Sequence, residues 1–223
     1  MNILIIGEEA NLKECQSKFK DHHSYMFANT HQEAKQRISD MDVSFDFTIE
    51  RDITQLELYR DLSEVTIFLN TAKISLGQLD AFSKQHFSTS VFGFAGLPTF
   101  LNREILEVSL FRQDQESSLK AVCKELGTKF QIVDDRVGLV TPRIICMIIN
   151  EAYYTVQEGT ASKEDIDLAM KLGTNYPFGP FEWCKKIGVR NVYELLIAIH
   201  EDTKDERYKI CPLLKKEYLL TQP

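Results

Sequence analysis

A glycine directly after a short apolar run is the first feature of the chain that could bind a ligand. The run covers residues 2–6 and is followed by Gly7, Glu8 and Glu9. A turn that binds the pyrophosphate of a dinucleotide needs the spacing G-x-G-x-x-G, which lets the backbone approach the phosphates. Only the first glycine is present, and the two carboxylates stand where a phosphate would bind. Gly7 is the candidate cofactor contact, and the alternative is a helix start that binds no nucleotide.

The end of the second apolar run offers one polar side chain for a ribose. An acidic residue at this point would accept the ribose hydroxyls, whereas residues 25–30 supply only Asn29. An asparagine can hydrogen-bond a ribose, but Asn29 or Thr30 could equally be the N-cap of a helix over residues 32–40. Capping is the favoured interpretation, and Asn29 stays a candidate cofactor contact.

The cysteines predict neither a metal site nor a disulfide framework. The five are odd in number, widely spaced and never in a C-x-x-C pair. They are Cys15, Cys123, Cys146, Cys184 and Cys211. We expect reduced cysteines with a structural role.

Length and composition exclude several classes of protein. The 223 residues allow one large domain or two unequal ones, and 43% hydrophobic with 26% charged residues excludes wholesale disorder. The net charge of −7 opposes binding to nucleic acid or an anionic membrane. The N-terminal apolar run is too short for a signal peptide, and the run at residues 144–149 is too short for a membrane span. We therefore expect a cytoplasmic protein.

The pattern of elements divides the chain in two. Short apolar runs alternate with helix-period segments up to about residue 133, which predicts βαβ units with a mainly parallel sheet. From Gly138 onward the apolar residues recur with the period of an α-helix. The first such stripe is Ile144, Ile148, Ala152 and Val156. The predicted fold is an α/β N-terminal domain, residues 1–137, followed by an all-α C-terminal domain, residues 138–223.

Two motifs in the helical half carry a resemblance to a known family. The runs S-K-E-D-I-D-L-A-M-K-L-G, residues 162–173, and Y-P-F-G-P-F-E, residues 176–182, resemble the C-terminal domain of the 3-hydroxyacyl-CoA dehydrogenases. Upstream, F-A-G-L at residues 94–97 and L-E-V at residues 106–108 resemble the strands around that family's catalytic loop. The resemblance implies a Rossmann-like domain for NAD, a helical domain that usually forms a homodimer, and hydride transfer to or from a 3-hydroxyacyl-CoA.

The catalytic groups that the family implies are mostly replaced in this chain. Pro98 stands at the position of the family's histidine base, and Pro142 at that of its asparagine. Ala72 replaces a serine in the turn Asn70-Thr71-Ala72, where Asn70 remains a candidate cofactor contact. Only Glu107 survives, the carboxylate that would orient the histidine. The alternative to a catalytic role is that Glu107 is a structural or solvated glutamate on a strand.

None of the histidines is an evident substitute for the missing base. In a doubly wound sheet, ligands bind at the carboxyl ends of the strands. His86 precedes a predicted strand and is therefore at the wrong end, whereas His31 is at the correct end but near the edge expected for adenosine. The others are His22, His23 and His200.

The helical half keeps candidates for substrate binding. Tyr176, Phe178 and Phe181 could shape an acyl pocket or could pack in the core, which is the commoner role of clustered aromatics. Two lysine pairs, at residues 185–186 and 215–216, could contact the CoA phosphates or be solvated surface.

Two functional hypotheses follow. The first is a degenerate family member that retains an acyl-CoA-binding or dimeric scaffold role with weak or no hydride transfer. The second is an active NAD-dependent 3-hydroxyacyl-CoA dehydrogenase with a non-standard site. The broad apolar face at residues 144–156 favours a homodimer through the helical domain.

Overall fold

The chain folds into two units, Met1–Leu139 and Val140–Pro223. A computed structural model describes residues 1–20, 22–83 and 87–221, and His86 lies outside the described residues. The division follows Leu139, two residues after the boundary predicted from the change of period.

The first unit is a seven-stranded sheet with helices. Its strands are β1 (Asn2–Ile6), β2 (Ser24–Ala28), β3 (Val43–Asp46), β4 (Thr66–Asn70), β5 (Val91–Phe94), β6 (Ile105–Leu110) and β7 (Lys129–Val133). Its α-helices are α1 (Glu9–Phe19), α2 (His31–Lys35), α3 (Leu76–Ser83) and α4 (Glu116–Glu125). Short 3-10 helices cover Ile38–Asp40, Ile49–Arg51, Ile53–Tyr59 and Gln113–Gln115.

The strand order is β2-β1-β3-β4-β5-β6-β7, and among these pairings only β5 with β6 is antiparallel. The predicted α/β class with a mainly parallel sheet is confirmed. The first five strands follow the order 2-1-3-4-5, so the direction of winding reverses between β1 and β3. The order differs from the six-stranded 3-2-1-4-5-6 arrangement because no described strand lies outside β2.

Helices cover both faces of the sheet, so the central strands are apolar on both sides. One core layer packs α1 and α4 against Phe45, Phe68 and Phe94. The other packs α2, α3 and the 3-10 segments against Leu4, Ile6 and Ile67. This double cover explains why β1 is a continuous apolar run.

Two local predictions differ from the structure. The helix expected over residues 32–40 is split into α2 and a 3-10 turn. The sequence pattern also predicts a helix over residues 55–62, and the structure has there the 3-10 helix Ile53–Tyr59. These connections pack a few large side chains onto the sheet, among them Ile38 and Tyr59, and this needs no regular α-helix.

The second unit is all-helical among its described residues, as predicted. It comprises α5 (Thr141–Gln157), α6 (Lys163–Thr174), α7 (Pro180–Ile187), α8 (Val189–Thr203), the 3-10 turn Glu206–Tyr208 and α9 (Pro212–Leu220). The predicted apolar face of helix α5 is wide, with Ile145, Ile149 and Tyr153 flanking the stripe. The helix buries these three flanking residues and Ala152 of the stripe, and it leaves Ile144 exposed. No described helix is long and apolar enough to cross a membrane.

Candidate functional site

The parallel strands bring several polar residues to one edge of the sheet. Gly7 follows β1, Asp46 ends β3 and Asn70 ends β4, and ligands of doubly wound sheets bind outside these carboxyl ends, where the winding reverses. The turn after β1, next to the end of β3, is therefore the position to test for a nucleotide.

Side chains of α1 and of the segment after β3 close the turn after β1. The backbone N–H of Glu8 donates to Oδ1 of Asn11 at 2.8 Å, and the Glu8 carboxylate lies 2.9 Å from the Arg51 guanidinium. A Cβ at Gly7 would lie only 2.6 Å from Oδ1 of Asn11. The approach of Asn11, together with the Phe47 Cβ at 3.2 Å, favours glycine at this position for a reason that involves no ligand. The cofactor role of Gly7 stays a prediction.

The residues after β2 form a helix cap. Oγ1 of Thr30 accepts a hydrogen bond from the backbone N–H of Glu33, and the backbone N–H of Asn29 donates to the Glu33 carboxylate at 2.9 Å. Thr30 is thus the N-cap of α2, one of the two capping residues that the sequence left open. The Asn29 side chain is exposed, and its contact with a ribose stays a prediction.

Asn70 is buried, and its side-chain amide serves the protein backbone. Its Nδ2 donates to the Phe47 carbonyl at 3.2 Å, and its Oδ1 accepts from the N–H groups of Ala72 and Gly96. These three bonds join the carboxyl ends of β3, β4 and β5. They favour a structural role, while the predicted cofactor contact of Asn70 remains untested.

The loop after β5 is held by α1. Pro98 is followed by Thr99, a β-branched residue at φ 76°. This conformation costs free energy and persists only where the surrounding structure holds it. The Glu14 carboxylate enforces it by accepting from the N–H groups of Thr99 and Asn102. Burial raises the pKa of Glu14, and the hydrogen bonds from Asn102 and Thr99 oppose this shift.

Glu107 lies half-buried on β6. Burial lowers the pKa of Arg103, and the negative charge of Glu107 opposes this shift, so the two groups interact. The carboxylate thus has a cationic neighbour within its own unit. Its predicted catalytic role stays a prediction.

A buried polar cluster lies at the same edge and was not predicted. Asp46 is fully buried. Its Oδ2 accepts from His31 Nε2 at 2.7 Å and from the Tyr59 hydroxyl at 2.8 Å. Its Oδ1 accepts from the backbone N–H of Thr48 at 2.7 Å and from the Thr48 hydroxyl at 3.0 Å. Burial raises the pKa of Tyr59, as does the negative charge of Asp46, which keeps that hydroxyl protonated as a donor.

The sequence carried one weak signal for this cluster. Ser44, Asp46 and Thr48 alternate with apolar residues, which is typical of a half-exposed strand. Because both faces of the sheet are covered, Asp46 is buried instead, and a buried carboxylate requires donors. A central strand with an internal aspartate could therefore have prompted a search for its partners.

The remaining described histidines lie elsewhere. Nδ1 of His23 is 3.5 Å from the N-terminal amine, and burial lowers its pKa. His200 lies in α8 beside Glu201.

The aromatic turn of the second unit is packed against its own helices. Tyr176 and Phe178 lie 5.4 and 6.4 Å from the Trp183 ring, and Phe181 lies 5.0 Å from the Tyr153 ring. The ammonium of Lys186 lies over the Phe178 ring, 4.5 Å from the ring centroid. These contacts favour packing, and the predicted acyl pocket remains untested.

A carboxylate from α6 holds this turn. Asp167 accepts from the N–H groups of Phe181 and Glu182 at the start of α7. A Cβ at Gly179 would lie 2.3 Å from the Asp167 carboxyl. The aspartate of D-I-D and the glycine of F-G-P are therefore one structural unit. Of the four lysines proposed for CoA phosphates, Lys186 contacts Phe178, and all four are exposed.

The fold of the first unit and the polar residues at the carboxyl edge of its sheet indicate a class of protein. A doubly wound sheet with polar residues at its carboxyl edge, followed in the chain by a helical unit, is a Rossmann-like α/β domain joined to an all-α domain.

Comparison with known proteins identifies the family. Residues 138–221 match the family described as 3-hydroxyacyl-CoA dehydrogenase, C-terminal domain. The chain is 42% identical over 88 residues to the 3-hydroxyadipyl-CoA dehydrogenase of Escherichia coli (strain K12), covering 40% of this chain and 18% of the relative. It is 29% identical over 188 residues to the 3-hydroxybutyryl-CoA dehydrogenase of Bradyrhizobium diazoefficiens, covering 80% and 63%. Residues 138–221 therefore belong to the 3-hydroxyacyl-CoA dehydrogenase family as its C-terminal domain.

A solved structure agrees on the fold. The crystal structure of M. tuberculosis FadB2 superposes with a TM-score of 0.76 at 15% identity, covering 99% of this chain and 94% of that one. The chain spans less than two thirds of the length of the first curated relatives it matches.

Proposed function

We propose that this chain is a 3-hydroxyacyl-CoA dehydrogenase relative with weak or no hydride transfer, which acts as an acyl-CoA binder or a dimeric scaffold. The observation that carries the proposal is the closed turn after β1. There Oδ1 of Asn11 accepts a hydrogen bond from the backbone N–H of Glu8, and the carboxylates of Glu8 and Glu9 lie at the start of α1. A pyrophosphate needs free N–H groups and positive potential at this point. The residues present do not fit that group.

The replaced catalytic positions support the same proposal. Pro98 cannot accept or donate a proton, and Asn70 already makes three hydrogen bonds within the protein. Loss of a general base alone lowers a rate by about 10² to 10⁴. The family's NAD chemistry would therefore have little support from the groups identified here.

The proposed ligand is an acyl-CoA, and the proposed partner is a second copy of the chain, without nucleic acid or membrane. Helix α6 has no buried residue and exposes Leu168 and Leu172, so an apolar helix face in the helical unit is open to a partner. The five buried cysteines, none of them in a disulfide, fit the reducing environment of the cytoplasm.

The second candidate is an active NAD-dependent enzyme with a non-standard site. The observation that favours it is Glu107, which is retained on β6 near Arg103. In this alternative Glu107 orients or replaces the missing base.

Titration with NADH, followed by cofactor fluorescence, tests the proposal. We expect no binding up to about 1 mM NADH, while acetoacetyl-CoA binds without cofactor in a calorimeter. Micromolar binding of NADH with turnover of acetoacetyl-CoA would contradict the proposal. A Glu107→Ala variant then decides the alternative, because an equal turnover rate would remove Glu107 from the mechanism.

A further inference from the structure

The hydrogen bond between His31 and Asp46 connects two strands that are not neighbours. His31 follows β2 and Asp46 ends β3, and β1 lies between these strands. Ile6 at the end of β1 pairs with Ala28 on one side and with Asp46 on the other. Because adjacent strands are about 4.8 Å apart, the pair spans about 10 Å across the end of β1.

The pair therefore lies at the edge where a nucleotide would bind. The winding of the sheet reverses between β1 and β3, and a ligand enters the crevice outside the carboxyl ends at that point. The His31 side chain is only 11% exposed and that of Asp46 is fully buried. The imidazole thus covers the carboxylate from the solvent side.

The Asp46 carboxylate is held independently of His31. Tyr59 and Thr48 supply three further donors, at 2.8, 2.7 and 3.0 Å. A buried carboxylate is costly unless its lone pairs are satisfied, and three donors remain if the imidazole is removed. Asp46 would then keep its place and expose one acceptor site.

A second contact closes the same edge on the outside. The Arg51–Glu8 pair joins the segment after β3 to the turn after β1, and its side chains are 64% and 66% exposed. Exposed pairs of this kind contribute little free energy. The Arg51–Glu8 pair can therefore open readily, whereas the buried His31–Asp46 pair cannot.

We propose that His31 is a specificity-determining residue, whose bond to Asp46 closes the β1 crevice to ribonucleotides such as adenosine 5′-diphosphate. The inference rests on the proposed function and gives the physical reason why a dinucleotide is excluded. Removal of the imidazole uncovers a carboxylate at the end of β3 that can accept ribose hydroxyls, the chemistry that dinucleotide folds obtain from an acidic residue at the end of the second strand. Arg51, released from Glu8, then meets the diphosphate.

Calorimetric titration with adenosine 5′-diphosphate and with NADH tests the proposal on the full chain. The variants are His31→Ala, His31→Ala with Glu8→Ala, His31→Ala with Asp46→Asn, and His200→Ala as the matched control. We expect the unchanged protein to bind the diphosphate with a Kd above about 1 mM, and His31→Ala to bind it at least about tenfold tighter than that bound. Glu8→Ala should add to the gain and Asp46→Asn should reduce it. Circular dichroism verifies that each variant is folded.

The outcomes separate the two proposals. A folded His31→Ala variant that binds no better than the unchanged protein overturns the role of His31 and leaves the proposed function intact. Tight NADH binding by the unchanged protein overturns the proposed function, and the role of His31 then stands only if His31→Ala still binds about tenfold tighter. An equal gain in His200→Ala overturns the role of His31.

Discussion

At the residue scale, a single buried amide connects three strands of the sheet. Asn70 donates to Phe47 and accepts from Ala72 and Gly96, so it positions the loops after β3, β4 and β5 together. An asparagine at a strand end is often a ligand contact, but an amide with internal partners on both oxygen and nitrogen has little capacity left. The position of the candidate site thus depends on a structural residue.

Replacement of Asn70 by alanine should destabilise the first unit. The change leaves the N–H groups of Ala72 and Gly96 without their acceptor in a buried place, which costs about 2–4 kcal/mol of the free energy of unfolding. Urea denaturation followed by circular dichroism measures it. The control is Asn29→Ala, where the side chain is exposed, and it should change stability by less than about 0.5 kcal/mol. Equal effects of both variants would contradict this role of Asn70.

Gly179 is constrained by a neighbour from another helix. Its α-carbon faces the Asp167 carboxyl, which is already held by two N–H groups of α7 and cannot withdraw without losing them. Gly179→Ala should therefore destabilise the second unit by about 1–3 kcal/mol.

Gly173 provides the matched control for this prediction. It lies within α6, and a Cβ there would have no neighbour within 4 Å. Gly173→Ala should stabilise the protein by about 0.5–1 kcal/mol, because alanine is the better helix former. Thermal denaturation of both variants measures the contrast. A stabilising Gly179→Ala change would show that Asp167 does not fix this turn.

At the element scale, α1 acts as a clamp on the loop after β5. Glu14 accepts from Thr99 and Asn102, Lys18 donates to the carbonyl of Arg103, and Ser17 accepts from the Asn102 amide. Pro98, which the sequence resemblance places at the position of the family's histidine base, and the strained Thr99 belong to this loop. The helix thus holds in a fixed conformation the segment where that base is predicted.

The charge of Glu14 should weaken this clamp at neutral pH. Burial raises its pKa in the folded protein above 4.5, so the ionised form is disfavoured by folding and stability increases as the pH falls through the folded pKa towards 4.5. Glu14→Gln keeps an acceptor oxygen without charge. We expect the variant to be at least as stable as the unchanged protein at pH 7, with the difference shrinking towards pH 4.5.

Glu182 should show the opposite sign. A hydrogen bond from Lys171 and one from the Gly179 N–H lower its pKa, so its charge contributes stability at neutral pH that is lost only below about pH 4.5. Glu182→Gln should therefore be less stable than the unchanged protein at pH 7. The urea midpoints of Glu14→Gln and Glu182→Gln, measured between pH 7 and pH 4, test both predictions. If both substitutions raised the stability at pH 7, or both lowered it, the opposite effects assigned to the two charges would be contradicted.

At the scale of the whole molecule, most of the exposed large apolar side chains among the described residues lie in the second unit. In the first unit, helices cover both faces of the sheet. In the second, the side chains of α6 include Leu168 and Leu172 at 54% and 78% exposure, and exposed apolar patches mark interaction sites. We therefore expect the helical unit to provide the homodimer interface.

Charges on this face should disrupt the dimer. The double variant Leu168→Lys with Leu172→Lys places two ammonium groups one helical turn apart on α6, where desolvation in an interface is costly. We expect a dimer for the unchanged protein and a monomer for the variant in sedimentation at micromolar concentration. The control is Phe82→Lys, an equally drastic change of an exposed apolar residue on α3. A monomeric unchanged protein, or a monomeric control, would contradict the interface.

Much of the architecture could be predicted because its causes are local. The apolar run of β1, the change of period at Gly138, and the start of α6, where Ser162 accepts from the Asp165 N–H, each depend on residues within a few positions of one another. The motif at residues 162–182 identified the family for the same reason. Asp167 and Gly179 are only twelve positions apart and fix one turn.

The sequence by itself thus determined the fold class and the family resemblance of the helical unit, and it predicted that Pro98 replaces the expected base. Only the tertiary structure decided what the remaining polar residues do. The strand order brings Asp46 beneath His31 and beside Tyr59, and the double cover of the sheet buries it. These contacts depend on β3 crossing to the far side of β1, a long-range pairing that no local pattern of side chains encodes.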